Sequence, residues 1–113
     1  MDVRITTRRA TVGDSFVRQA EERARKLERY EPRLQGVAIT VDEDRGRVFM
    51  EVRADVAGTP TVVASSDGDT TRSALDRALQ KVQRQLRRKR SKRLDHKAPP
   101  AAAVAPEAEP QPE

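Results

Sequence analysis

Apolar and polar positions along the chain switch between a period of two and a period of about 3.6, and mark six elements. Val3 and Ile5 alternate with Asp2, Arg4 and Thr6, which predicts a half-buried strand over about residues 2–9. Phe16, Ala20, Ala24 and Leu27 then recur at helical spacing, with Val17 and Tyr30 beside them. Arg18, Glu22, Arg25, Lys26 and Arg29 fill the other faces, so an amphipathic helix is expected from about 14 to 30. Gly13-Asp14-Ser15 supplies its start and Pro32 favours its end. Val37, Ile39 and Val41 predict a second strand over about 36–42, and Asp44-Arg45-Gly46 a turn. Val48, Met50, Val52, Ala54 and Val56 hold period two, with Glu51, Arg53 and Asp55 opposite, so the third strand is wet on one face. Phe49 falls on that wet face. A turn at Gly58-Thr59-Pro60 leads into a last strand from Thr61 to Ser66. Leu75, Ala78, Leu79, Val82 and Leu86 form the stripe of a second helix over about 71–92, with Asp67, Asp69 and Thr70 placed to cap it.

The order is β-α-β-β-β-α, an α+β fold with a four-stranded sheet and both helices packed on one face. The first β-α-β unit should be a right-handed crossover. After Leu86 the stripe stops while the charge continues. Arg87-Arg88-Lys89-Arg90 and Lys92-Arg93 should project past the sheet as an unsupported last turn or two. Residues 98–113 hold six Ala, five Pro and three Glu, a composition that cannot bury a core. The chain is therefore read as one domain over 1–97 followed by a disordered Pro/Ala/Glu tail over 98–113.

Composition narrows the chemistry. The 113 residues include no cysteine, which excludes disulfides, thiolate catalysis and Cys-ligated metal sites. Aromatics make up 3%, so base stacking rests on Tyr30 and Phe49 alone. Tyr30 at the helix end either closes the core or contacts RNA. Apolar runs are too short for a membrane span. Met1-Asp2-Val3-Arg4 enters a strand pattern directly, so no secretory signal is expected and the location expected is cytoplasmic. His96 stands alone in the basic-to-tail junction, far from any partner for catalysis. Asp42-Glu43-Asp44 and Asp67-Gly68-Asp69 are carboxylate clusters, but turns and caps account for them and no calcium loop is complete. No phosphate-loop, dinucleotide, hydrolase-elbow or zinc-protease motif occurs. The reading is a protein that is not an enzyme and needs no metal, cofactor or small-molecule substrate.

Charge supplies the positive signal. The net of +5 conceals a segment, 72–97, with 11 basic residues against Asp76 and Asp95. Residues 1–71 are near neutral, with 12 basic and 13 acidic residues. A near-neutral body with one strongly basic segment is the footprint of a polyanion binder, because clustered cations displace counterions from phosphates.

Two stretches resemble a known family. Arg25-Lys26-Leu27-Glu28-Arg29-Tyr30 is similar to the end of the first helix of the ribosome hibernation-promoting factors, also called ribosome-associated translation inhibitors. Lys81-Val82-Gln83-Arg84-Gln85-Leu86 is similar to part of their second helix, and Val63-Ala64-Ser65 to their last strand. The resemblance is to the short form and covers about residues 2–93. It differs where the second helix begins, with Thr70, Thr71 and Arg72 in place of the family's Asp-Met-Tyr.

The resemblance implies a fold similar to a double-stranded-RNA-binding domain. It also implies docking on the small ribosomal subunit, in the path of messenger RNA and tRNA, so that idle ribosomes are held inactive in stress or stationary phase. It carries contacts to 16S ribosomal RNA onto Arg23, Lys26 and Arg29 of the first helix, and onto Lys81, Arg84, Arg88 and Lys92 of the second. Arg87 and Arg90 join them on charge alone. Off the ribosome a monomer is expected. Two rivals stand beside this reading. A general double-stranded-RNA-binding module would concentrate bases at the start of the last helix, where only Arg72 and Arg77 lie. A nuclease would need a carboxylate or histidine cluster beside the basic face.

Overall fold

Period-two segments become four strands in the computed structural model, which describes residues 1–95. They are β1 (Asp2–Arg8), β2 (Leu34–Asp44), β3 (Arg47–Val56) and β4 (Val62–Gly68), side by side in sequence order. β1 runs parallel to β2, with Val3 beside Val37 and Ile5 beside Ile39. β2–β3 and β3–β4 are antiparallel. The parallel pair requires a crossover, which α1 (Asp14–Lys26) provides. The β2–β3 turn places Arg45 and Gly46 at φ 53° and 78°, the left-handed pair of a tight hairpin turn, where glycine at the second position removes steric cost.

One sheet face is buried. Ile39, Val41, Met50, Val52, Val62 and Ala64 meet Ala20, Ala24 and Leu27 from one helix and Leu75, Ala78, Val82 and Leu86 from the other. The second helix, α2 (Thr71–Asp95), lies over β3 and β4, and α1 lies over β1. Small alanines at the contact let the helices approach the sheet closely. The opposite face is open, and Phe49 and Val63 are 43% and 39% exposed there.

Four elements differ in their bounds from the sequence reading. α1 ends at Lys26, and Leu27–Arg29 form one 3-10 turn before Pro32. β2 extends at both ends, to Leu34–Asp44, and β4 starts one residue later, at Val62, and extends to Gly68, because ladder pairing carries strand geometry beyond the apolar alternation. α2 continues to Asp95. The cap of α2 is Thr70 alone: its Oγ1 accepts the Ser73 backbone N–H at 3.1 Å. Asp67 belongs to β4, and Asp67 and Asp69 both accept from Arg47, at 2.9 and 2.6 Å. Asp42 is likewise engaged, in a two-pronged pair with Arg9 at 3.0 and 2.7 Å. That hydrogen-bonded pairing holds the Asp42 carboxyl below its ordinary range. Among the described residues no three His, Asp or Glu side chains converge as a metal site. His96 and the expected disorder of 98–113 lie outside the described residues.

Candidate nucleic-acid interface

α1 and α2 lie side by side and run the same way. Gln19 Oε1 accepts from Arg72 at 3.1 Å, and Arg23 pairs with Asp76, so the same sequence offset of 53 joins them twice. In this first half the polar groups between the helices neutralise one another. Beyond it the partners run out and the helices are separated by a groove.

The groove has two chambers that share Arg29 and Tyr30. The first, about 260 Å³, is walled by Arg23, Lys26, Leu27, Arg29 and Tyr30, with Leu79 and Gln83 of α2 opposite. The second, about 250 Å³, lies between Arg29 and Tyr30 and the Arg87, Arg90, Ser91 and Leu94 side chains. Arg87 stands over the Tyr30 ring at 5.8 Å from its centroid, a cation–π contact across the waist of the groove. Tyr30 is half-buried and packs against the core, so it closes the core and lines the groove at once.

The structure separates the nine candidate residues into three groups. Arg23, Lys26, Arg29, Arg87 and Arg90 line the groove. Arg84 is exposed on the crest of α2, opposite its buried stripe. Lys81 faces away, over the free edge of β4, where its Nζ donates to the Ser65 carbonyl at 2.7 Å. Helical spacing puts Arg88 and Lys92 on that same flank. Lys81 has neighbours in this duty: Arg77 donates to the Asp67 carbonyl at 2.8 Å and Gln85 to the Val63 carbonyl at 3.3 Å. Three side chains one helical turn apart thus cover three alternate carbonyls of an edge strand, a protection against edge-to-edge pairing. Among the described residues, the side chains of Lys26, Arg29, Arg84, Arg90 and Lys92 make no hydrogen bond or ion pair, so their charges are available to a ligand.

The last turns of α2 are not unsupported. Arg93 donates both Nη groups to Glu31 at 2.6 and 3.1 Å, and the Arg33 backbone N–H reaches the same carboxylate at 2.8 Å. Glu31 is the one charged side chain among the described residues that is fully buried. Burial pushes its carboxyl up, but the Arg93 and Arg33 hydrogen bonds and charges outweigh that and hold it below the ordinary value of 4.5. Sequence patterns gave no sign of this pair. Its members are 62 residues apart, and a glutamate after a helix normally faces water.

The fold has relatives. The family model described as sigma 54 modulation protein / S30EA ribosomal protein matches residues 3–94. Among curated proteins no sequence relative matches. Among solved structures, a ribosomal subunit interface protein from Coxiella burnetii is similar with TM-score 0.74 and 13% identity, over 80% of this chain and 99% of that one. The N-terminal domain of Thermus thermophilus Protein Y is similar with TM-score 0.70 and 19% identity, over 78% of this chain and 98% of that one. Helix motifs, strand order and the match over residues 3–94 agree: the chain belongs to the sigma 54 modulation and S30EA ribosomal protein family, a family of ribosome-associated proteins that includes the hibernation-promoting factors.

Proposed function

We propose that this chain is a translation inhibitor that docks on the small ribosomal subunit, against 16S ribosomal RNA in the messenger RNA and tRNA channel, and holds idle ribosomes inactive. The observation that carries this reading is the groove between the C-terminal halves of α1 and α2. Five cations line it, and among the described residues three of them, Lys26, Arg29 and Arg90, have no internal partner. Both helices also end in bases, where the helix dipole favours cations, so the basic end is compatible with a stable fold before RNA arrives. Phosphates entering the groove meet donors already in place, and inhibition is steric: the protein and messenger RNA or tRNA cannot share the site. The protein acts in the cytoplasm as a monomer until bound, during stress or stationary phase, and performs no chemistry. Residues 1–97 suffice for binding and 98–113 are dispensable. Lys81, Arg88 and Lys92 contact RNA from the outer flank, once Lys81 has left the β4 carbonyl.

A general double-stranded-RNA-binding module is the second reading, favoured by the strand order and the open basic helix. The test is co-sedimentation with ribosomes from stationary-phase cells, with a plain RNA duplex as control. Retention on ribosomes at near-physiological salt, with release from the duplex, supports the docking reading. Equal affinity for both supports the general module.

A further inference from the structure

Six of the eight residues from Arg87 to Leu94 are basic. Like charges at i, i+3 and i+4 oppose a helix, and the apolar stripe that holds α2 on the sheet has already ended at Leu86. The helix nevertheless continues past Leu94. Glu31 supplies the missing restraint. It sits in the loop between the 3-10 turn and β2, and its backbone carbonyl accepts the Leu34 N–H at 3.1 Å, so the loop itself is fixed. From there its carboxylate grips Arg93 by both guanidinium nitrogens. The grip also sets the groove. Arg29 and Tyr30 immediately precede Glu31 on one wall, and Arg90 lies one turn before Arg93 on the other.

We propose that Glu31 is a positioning residue for the polyanion site: through Arg93 it fixes the basic end of α2 against the Arg29–Tyr30 wall in the free protein, so that the cations are set before the ligand arrives. The inference rests on the groove being the ribosomal RNA site. It also makes a claim of opposite sign to simple electrostatics. Glu31 is an acid beside a polyanion site, so neutralising it should tighten binding if charge alone matters. If Glu31 positions the helix, neutralising it weakens binding, because ordering the helix is then charged to the binding step.

The experiment compares wild type and Glu31→Gln, as full chains, in two arms. In the first, amide hydrogen exchange of the free protein is followed residue by residue. The expected result is lost protection over 88–94, with the sheet and the first half of α2 unchanged. In the second, ribosome co-sedimentation is measured over a salt series. The expected result is about tenfold weaker binding, with the slope of log affinity against log salt unchanged, because no cation has been removed. Arg93→Lys keeps the charge but loses the two-pronged grip, and should weaken binding severalfold with the fold retained. It decides the matter if Glu31→Gln does not fold. Equal or tighter binding by Glu31→Gln, or wild-type protection over 88–94, overturns the proposal. Failure of the wild type itself to bind ribosomes would sink the groove reading, and the exchange arm would still decide the restraint.

Discussion

The two flanks of α2 carry the same kind of side chain and put it to different uses. On the flank facing β4, Arg77, Lys81 and Gln85 donate to the carbonyls of Asp67, Ser65 and Val63. On the flank facing α1, Arg87 and Arg90 look across a groove at Arg29 and Tyr30, and Lys26 lines the chamber before them. The first flank is engaged with the protein's own backbone. The second keeps three cations, Lys26, Arg29 and Arg90, that among the described residues no internal partner satisfies. Charge density along a helix therefore does not locate a binding site. What the charges are already bonded to does.

The largest effect expected strikes both flanks together. Leu79 is buried beneath the groove, and Leu79→Ala should cost about 2–5 kcal/mol of stability, read as a lowered melting temperature. An unchanged melt would mean α2 is not seated on the sheet as described.

Next comes the groove flank alone. Arg29→Glu with Arg90→Glu should weaken ribosome binding by roughly 100-fold while leaving the melt in place, since both side chains lie off the core. Wild-type inhibition of cell-free translation by this variant would remove the groove from the account.

The edge flank should respond in the opposite sense. Arg77→Ser with Lys81→Ser uncovers two β4 carbonyls, and the expected outcome is concentration-dependent self-association by sedimentation, with ribosome affinity reduced only a few-fold. A loss as deep as that of the groove variant would show that Lys81 is a principal RNA contact and that the two flanks are not distinct.

Acid sharpens the comparison further. The edge contacts end on carbonyls, which do not titrate, whereas the groove flank is held by Glu31. Its carboxyl is below 4.5 in the folded protein, so the stability it adds is present above that pH and is lost as pH falls through the lowered value. Between about pH 6 and about pH 3 the wild type should lose more of its denaturant midpoint than Glu31→Gln does. Parallel curves would show that the Glu31 carboxylate stabilises nothing.

Much of this was legible in the sequence, and the limits have a physical cause. The places of the strands along the chain, the buried face and the wet position of Phe49 follow from period two, a property of neighbouring residues. The α2 stripe from Leu75 to Leu86 follows from period 3.6 in the same way. Arg90 could be named as a candidate because charge clusters are local too, and Arg29 because the end of its helix resembles the family. Their convergence on one groove could not, because that depends on two helices lying parallel. The restraint of Arg93 by Glu31 and the duty of Lys81 at Ser65 were hidden for the same reason. Each joins residues whose pairing no local period encodes. Thr70 rather than Asp67 or Asp69 became the cap because Arg47 of β3 had taken both aspartates, again a contact across elements.

The claim that the α1–α2 groove is a polyanion site is tested most directly by ribosome co-sedimentation over a salt series, with wild type, Arg29→Glu/Arg90→Glu and Arg77→Ser/Lys81→Ser side by side. If on the order of 6–10 phosphates are neutralised, wild-type affinity should fall by roughly 10³–10⁵ between about 50 and 200 mM salt on the duplex scale, and less steeply on folded RNA that holds magnesium. The groove variant should show both weaker binding and a shallower slope, and the edge variant a slope close to that of the wild type. A flat salt response in the wild type, or a slope that the groove variant leaves unchanged, would contradict the account.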